Sequence, residues 1–507
     1  MLIAKENYVM ESEKLTVEVI GGAGKIGANN MLYIEDGMGL CCFVDCGADP
    51  GENDPQKRLY SKEIERAMEI SRLNNQLGRN QGLLLTHAHH DHIGNVPMFF
   101  KRLLDEGLSL PLVVGSPFTI RLLKEGIEPM LRFEEEVRDS AFLSEESIKL
   151  IRFPAIEVAD GGKQYFGSTT VQAIPVQHSS PGCFGYLFKS KVADGRDFIT
   201  HRMFITGDYK SIPVEQYSDL QDVDFLMTDG TSVTRNYEVT ENDVYAEMVK
   251  IFEGISLKNR VFAGVISTNM ARTVCLLRAA YQSKRVPAIF APSLSRNYDI
   301  VLDLDVEGVM PKSFERHNSN YKVYPSDLII TTGVWAQGFV SQEDLEKLDP
   351  EKQQEAKKTM SGIAKLATGM KVGEQFNSSG QRYGGYEIQP GDVVLISGSI
   401  YDFVYEDLKP MLKQLSQLGA RIILDNTAPK EWGYERAILS AGGHGSRQSV
   451  ERVIKGTNPR HLAAYYVDQE RIDIIHELAA RQGSDAIPVK NGDVLEISVR
   501  DGSIVKL

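Results

Sequence analysis

Cysteine is scarce in this chain of 507 residues: Cys41, Cys42, Cys46, Cys183 and Cys275 form an odd set with no regular spacing and no Cys-x-x-Cys pair. That argues against a disulfide framework and predicts reduced thiols in a cytoplasmic protein. Long apolar runs are missing as well. No stretch approaches membrane-spanning length and residues 1–7 carry no apolar signal core, so a soluble chain is expected. Basic residues are outnumbered, 56 Lys and Arg against 69 Asp and Glu, which gives a net charge of −13. That sign argues against a protein that coats nucleic acid by surface charge. It leaves a nuclease open, because two divalent ions and a local groove can hold a short length of phosphodiester on an acidic body. Internal repeats and low-complexity segments are not evident, and the length fits two or three domains, each with its own core.

Histidine is also rare, ten residues in all, yet His87, His89, His90 and His92 fall within six positions. Leu83-Leu84-Leu85 before Thr86 reads as a buried strand, so the histidines sit where it runs out into a loop. Reactive groups on a loop carried by a rigid strand are a common arrangement. His87 and His89 are one residue apart and can face one point, while Asp91 and His92 follow the turn and can face a neighbouring one. His90 is the expected bystander. Imidazole with carboxylate suits zinc, with manganese or iron as alternatives, and an open coordination position would activate water.

The run His87-Ala88-His89-His90-Asp91-His92 resembles the signature of the metallo-β-lactamase fold. The resemblance implies an α/β chain with a four-layered αββα sandwich and a dinuclear metal site at one edge. It does not choose a substrate, since that superfamily hydrolyses thioesters, lactams, lactones and phosphodiesters alike.

Upstream, residues 15–20, 30–35 and 40–45 read as strands. Gly22-Ala23-Gly24-Lys25-Ile26-Gly27 matches Gly-x-Gly-x-x-Gly, but a dinucleotide site needs a helix next. Asn29, Asn30 and a β-rich stretch follow instead, so a tight turn between strands is the better reading. Asp45, ending a strand, is either a turn former or a carboxylate that orients a metal-bound histidine. Residues 62–76, 98–106, much of 117–138 and 144–151, which begins at Ser144, are helical by period. His178 and Asp208 each end a short apolar strand, and after the His-x-His-x-Asp-His loop they look like the superfamily's next two ligands. The inferred set is His87, His89 and His178 on one metal, Asp91 and His92 on the other, and Asp208 bridging.

From about residue 233 helices alternate with short, wholly apolar strands at 261–266, 288–290, 328–330, 393–396 and 421–424, the pattern of a parallel α/β sheet. The charged, helix-prone stretch 341–370, opening with Ser341-x-x-Asp344, reads as a surface excursion or lid. Residues 485–507 read as closing β-hairpins over Asn491-Gly492-Asp493 and Asp501-Gly502. The expected domains are 1–232 and 439–507 for the metallo-β-lactamase part and 233–438 for the insertion.

Leu226-Met227-Thr228-Asp229-Gly230-Thr231 resembles the acidic motif that opens the β-CASP insertion of nucleic-acid-cleaving members, and the likeness to RNase J proteins extends over nearly the whole chain. Gly21 to Gly27, His178-Ser179-Ser180-Pro181, Ser267 to Arg272, Thr331-Thr332-Gly333, Pro390 to Val394 and Gly442-Gly443-His444-Gly445-Ser446 are each similar to that family's motifs. The resemblance implies a metal-dependent ribonuclease, endonuclease or 5′-exonuclease, with RNA as substrate, two divalent ions, zinc or manganese, and a metal-activated hydroxide. It gives Asp91 the role of orienting that hydroxide and carrying its proton. His444, Gly445 and Ser446 would grip the phosphate, His444 would assist the leaving oxygen, and Asp229 would steady a ligand histidine. The chain departs from the family at Tyr466, where the final histidine ligand would fall, so the second ion would bind more weakly or be completed by water or Asp468. Ala271 stands where a histidine usually precedes Arg272. The family's C-terminal self-association domain is not recognised here, which leaves a homodimer open. Two rival readings are an RNA-binding pseudo-nuclease and a hydrolase of DNA or a small phosphodiester or ester.

Overall fold

The computed structural model describes residues 14–24, 30–36, 39–49, 52, 55–126, 152–194, 197–305, 326–334, 336, 338–376, 382–401, 404–465 and 467–507. They form two compact units, one of Met1–Tyr237 with Gly443–Leu507 and one of Glu238–Gly442.

In the first unit an eight-stranded sheet runs in the order Ile504–Lys506, Val494–Ser498, Lys14–Gly21, Met31–Glu35, Cys41–Val44, Gly82–Leu84, Leu112–Gly115, Ala155–Glu157. It is antiparallel as far as Cys41–Val44 and parallel beyond. A seven-stranded sheet runs Asp485–Ala486, His461–Tyr465, Phe225–Asp229, Asp197–Ile205, Phe184–Asp194, Thr169–Pro175, Lys163–Phe166. Alternation assigns the faces. Val17, Ile34 and Val44 of the first sheet pack with Tyr186, Met203, Ile205, Phe225, Met227 and Tyr465 of the second. The intervening Leu187, Phe204, Leu226 and Leu462 face outward against Val450, Val453 and Ile454 of helix Arg447–Thr457 and Ile475 and Leu478 of helix Gln469–Arg481. On the other flank Phe43 meets Phe99 of helix Val96–Asp105, ring centroids 5.4 Å apart. Each such fully buried Leu or Phe contributes about 1.5–3 kcal/mol. Helix, sheet, sheet and helix give the expected four layers.

The second unit holds a six-stranded, wholly parallel sheet ordered Val286–Ile289, Asp327–Thr332, Val261–Val265, Val393–Ile396, Arg421–Asp425, Glu435–Ala437. Val261–Val265 and Val393–Ile396 are buried at every position, as strands covered on both faces must be. Arg272 is buried, and its charge is met by Glu241 at 3.0 Å, with Ser397 Oγ accepting at 3.1 Å and the Leu439 carbonyl accepting as well.

Two expectations change. Ser341 does cap a helix, Gln342–Lys347, but the stretch is not all surface: Met360, Ile363, Ala364, Leu366 and Ala367 join the core of this unit. At the end of the chain, only Asp501-Gly502 turns a hairpin, between Val494–Ser498 and Ile504–Lys506. Asn491-Gly492-Asp493 instead carries the chain from one sheet to the other, and Asn491 Oδ1 accepts from the Ala23 amide of the glycine turn. Residues 117–126 are helical, whereas 127–151, with Ser144, and 25–29 lie outside the described residues. Among the described residues no helix is long and apolar enough to cross a membrane.

Candidate metal centre

The strand Gly82–Leu84 is short, and past Leu85 the Thr86 carbonyl accepts from the Phe184 amide of the opposite sheet at 2.9 Å. His89, in extended conformation, takes the N-cap position, and His90–Ile93 makes one helical turn. The Asp45 loop closes over that turn. Carbonyls of His90, Asp91 and His92 accept from the amides of Ala48, Asn30 and Cys46 at 3.0, 3.0 and 2.7 Å. Gly47 sits so close that a Cβ would lie 1.6 Å from the Asp91 carbonyl oxygen, so only glycine fits this backbone-to-backbone contact.

Side chains from four further segments converge here. The rings of His87 and His92 are 4.0 Å apart, His87 and His89 4.6 Å, and His87 and His178 4.6 Å. Asp208, three residues beyond the strand Asp197–Ile205, is buried, with Oδ2 3.2 Å from His92 Nε2 and 4.0 Å from His87 Nε2. Asp91 Oδ2 lies 3.9 Å from His92 Nε2. His444 Nδ1 is 3.7 Å from Asp208 and 2.7 Å from Asp229 Oδ2. Three overlapping sets thus have ligand atoms within 4.8 Å: His87, His89 and His178; His87, His92 and Asp208; and Asp208, Asp229 and His444.

The histidines are fixed from behind. Nδ1 of His178 donates to the Gly443 carbonyl at 2.5 Å, Nδ1 of His92 to Asp45 Oδ2 at 2.7 Å, and Nδ1 of His87 faces Thr86 Oγ1 at 3.1 Å. Asp45 is fully buried in the left-handed region at φ 60° and also accepts from the Thr86 amide at 2.7 Å and hydroxyl at 2.8 Å. Asp45 both shapes the turn, at positive φ, and holds a histidine, His92, by its carboxylate. Metal-bound histidines are commonly held this way, with one nitrogen anchored and the other offered.

Burial, assisted by the neighbouring histidines, pushes His87 and His89 well below the ordinary imidazole range. Burial also takes His178 down to about 4. These rings are neutral and keep a lone pair, as a ligand must. His92 differs: burial opposes its charge, but Asp208, Asp45 and Asp91 outweigh that and hold it well above the ordinary range. Burial raises the Asp91 carboxyl.

The donor set suits a cation. His87 Nε2 and Asp208 Oδ1 are buried with no hydrogen-bond partner among the described residues, a costly state for two acceptors unless something positive takes their lone pairs. Imidazole with carboxylate fits zinc or manganese.

Some expected roles move. Asp229 steadies His444, not one of the histidines of the His-x-His-x-Asp-His loop or His178; its Oδ1 is occupied by the Thr231 amide and hydroxyl at 2.8 and 2.6 Å. Asp468 is spent as the N-cap of helix Gln469–Arg481, accepting from the Arg471 amide at 3.0 Å and pairing with the Arg471 guanidinium. Tyr466 lies outside the described residues. Ser446 is the N-cap of helix Arg447–Thr457 and accepts from the Ser449 amide at 3.3 Å, with Gly445 beside it. His90 is exposed, as expected of the bystander. Sequence reasoning passed over Thr86 and the Gly443 carbonyl. Thr86 could have been found from its place beside His87, but a backbone oxygen leaves no mark on the sequence.

Residues 43–263 match the β-lactamase superfamily domain. Ribonuclease J of Mycolicibacterium smegmatis is 22% identical over 94% of this chain and 72% of its own length. Ribonuclease J of Sinorhizobium meliloti is 22% identical over 99% and 78%. A solved structure of a protein of unknown function from Enterococcus faecalis shares the fold, with a TM-score of 0.57 and 14% identity, covering 96% of this chain and all of its own.

Proposed function

Since this chain is an RNase J-like β-CASP member of the metallo-β-lactamase superfamily, we propose that it is a metal-dependent ribonuclease that hydrolyses RNA phosphodiester bonds. The observation that carries the reading is the pair of buried acceptors, His87 Nε2 and Asp208 Oδ1, which have no hydrogen-bond partner among the described residues and lie beside the neutral rings of His89 and His178. His87, His89 and His178 would hold one ion and Asp91 and His92 the other, with Asp208 reaching both. Divalent ions there would activate water and neutralise charge on the phosphoryl oxygens.

The protein's own groups supply the rest. Asp91, close to His92 and only partly screened from solvent, orients the attacking water and takes its proton. Asp229 holds Nδ1 of His444 at 2.7 Å, which leaves Nε2 to carry a proton to the leaving oxygen. Gly445 and Ser446 stand at the N-terminus of helix Arg447–Thr457, whose dipole favours an anion, although its Arg447 and Ser449 amides are engaged by the Arg235 carbonyl at 2.9 Å and Ser446 Oγ at 3.3 Å. This also accommodates the acidic net charge, because the anion is met by local dipoles and ions and not by the surface as a whole.

The test is cleavage of one single-stranded RNA, labelled at its 3′ end and bearing a 5′-monophosphate or a 5′-hydroxyl, with manganese or zinc added. The parent should cut it, Asp91→Ala should not, and Asp229→Asn should be slower by about 10²–10⁴-fold, the usual contribution of a positioned proton donor. Cleavage by Asp91→Ala at the parent rate would overturn the mechanism. Folded, metal-loaded parent that binds RNA without cutting it would favour the pseudo-nuclease that the Tyr466 departure suggests, and preference for DNA of the same sequence would reassign the substrate.

A further inference from the structure

We propose that Ser179 is a positioning residue of the metal centre: its hydroxyl holds the Nε2–H of His89 and so turns the His89 Nδ1 lone pair toward the ion shared with His87 and His178. This rests on the metal-dependent reading above. A carbonyl can only accept, so His178 Nδ1, 2.5 Å from the Gly443 oxygen, carries the proton and His178 Nε2 carries the lone pair. That lone pair lies 3.1 Å from His89 Nδ1. Two nitrogens bound to one zinc at about 2.0–2.1 Å stand roughly 3.3 Å apart in a tetrahedron, so this separation is close to that of two ligands of one ion. His89 therefore offers Nδ1, unlike His87, His92 and His178, which are held at Nδ1 and offer Nε2.

A neutral imidazole has one proton, and with Nδ1 bound to metal it must sit on Nε2. Nε2 of His89 faces one protein group, Ser179 Oγ at 3.1 Å, among the hydrogen bonds of the described residues. The hydroxyl suits both states of the site. Without metal, His89 Nδ1–H can donate to His178 Nε2 while Ser179 donates to His89 Nε2; with metal, the proton moves to Nε2 and the hydroxyl turns to accept it. Rotation of one hydroxyl makes the change, where a group of fixed polarity would fit one state only. The segment is rigid enough to hold that geometry: the Gln177 amide donates to the Ser211 carbonyl at 2.9 Å, and the Val176 amide to that of Cys183 at 3.0 Å.

The experiment is zinc affinity by chelator competition, with cobalt(II) visible absorption as the spectroscopic readout, for the parent, Ser179→Ala and Ser179→Thr. Ser179→Ala should bind zinc about 10–100-fold more weakly, the usual effect of losing a partner behind a ligand, and its cobalt bands should shift. Ser179→Thr, which keeps the hydroxyl, should restore both, and circular dichroism of the metal-free proteins should show the same fold in all three. Parent-like zinc affinity in Ser179→Ala, or failure of the threonine to restore it, would each overturn the assignment. A parent that takes up no zinc or manganese would sink the metal reading and this assignment together, whereas equal binding by parent and alanine variant would sink this assignment alone.

Discussion

Replacing Asp45 by asparagine should weaken metal binding without disturbing the backbone. Asp45 lies at φ 60°, a conformation that asparagine tolerates nearly as well as aspartate, so the turn itself is preserved. The hydrogen bonds are not. Oδ1 can still accept from the Thr86 amide, but an NH2 group would replace Oδ2, which now accepts from the Thr86 hydroxyl at 2.8 Å and from His92 Nδ1 at 2.7 Å. The hydroxyl can turn round; the His92 N–H would face another N–H. His92 must then lose a charge-assisted bond, about 1.5–3 kcal/mol, or move its proton to Nε2, which withdraws that nitrogen as a ligand. Either way divalent-ion affinity should fall about 10–100-fold, or about 1.4–2.8 kcal/mol. Metal content after dialysis against a graded chelator series measures this directly. A variant with parent content across the series would refute the view that Asp45 sets the His92 tautomer.

Gly443→Ala places a Cβ 2.3 Å from the His178 ring, so His178 should be displaced and the His87, His89 and His178 position should lose its ion while the fold survives; zinc content with circular dichroism checks both, and full zinc occupancy would contradict the placement. His201 is buried, with both ring nitrogens unpartnered among the described residues and Asp224, Arg460 and His461 nearby. Burial holds its pKa below the unfolded value of about 6.5, so the unfolded chain takes up the proton first. The contribution to stability is present above about pH 6.5 and is lost as the pH falls from there toward the folded value. His201→Phe removes that titration, and its urea midpoint should drop less than the parent's between pH 7.5 and 5; parallel declines would argue against it.

What the sequence makes legible depends on how local the cause is. Val261–Val265 and Val393–Ile396 announce a parallel sheet because both faces are covered and every residue must be apolar. The His-x-His-x-Asp-His loop is legible because six adjacent positions carry the donors. The groups that orient those donors come from far along the chain: Asp45 is 47 residues from His92, Gly443 is 265 from His178, and Asp229 is 215 from His444. Nothing in the local pattern pairs them. The same limit explains Gly362–Ala367, two turns too short for a periodic signal yet buried in a core assembled by distant strands.

That distance from sequence also makes the supporting groups separable by experiment. A hydroxyl has one proton and two lone pairs. Asp45 is a carboxylate and can only accept, so the Thr86 proton is committed to it at 2.8 Å, and Thr86 Oγ1, 3.1 Å from His87 Nδ1, can then only accept from that ring. Asp45 thereby fixes His92 directly and His87 at one remove, and these two histidines serve different ions in the proposed arrangement. Ser179 touches His89 alone of the ring set, and Asp229 touches His444, which binds neither ion in that arrangement. Metal content should therefore fall at both positions in Asp45→Asn, at one in Ser179→Ala and at neither in Asp229→Asn, although the last loses cleavage. Metal loss in Asp229→Asn comparable to that in Asp45→Asn would mean that the Asp208, Asp229 and His444 set holds an ion itself, and His444 would then have to be moved from proton donor to ligand.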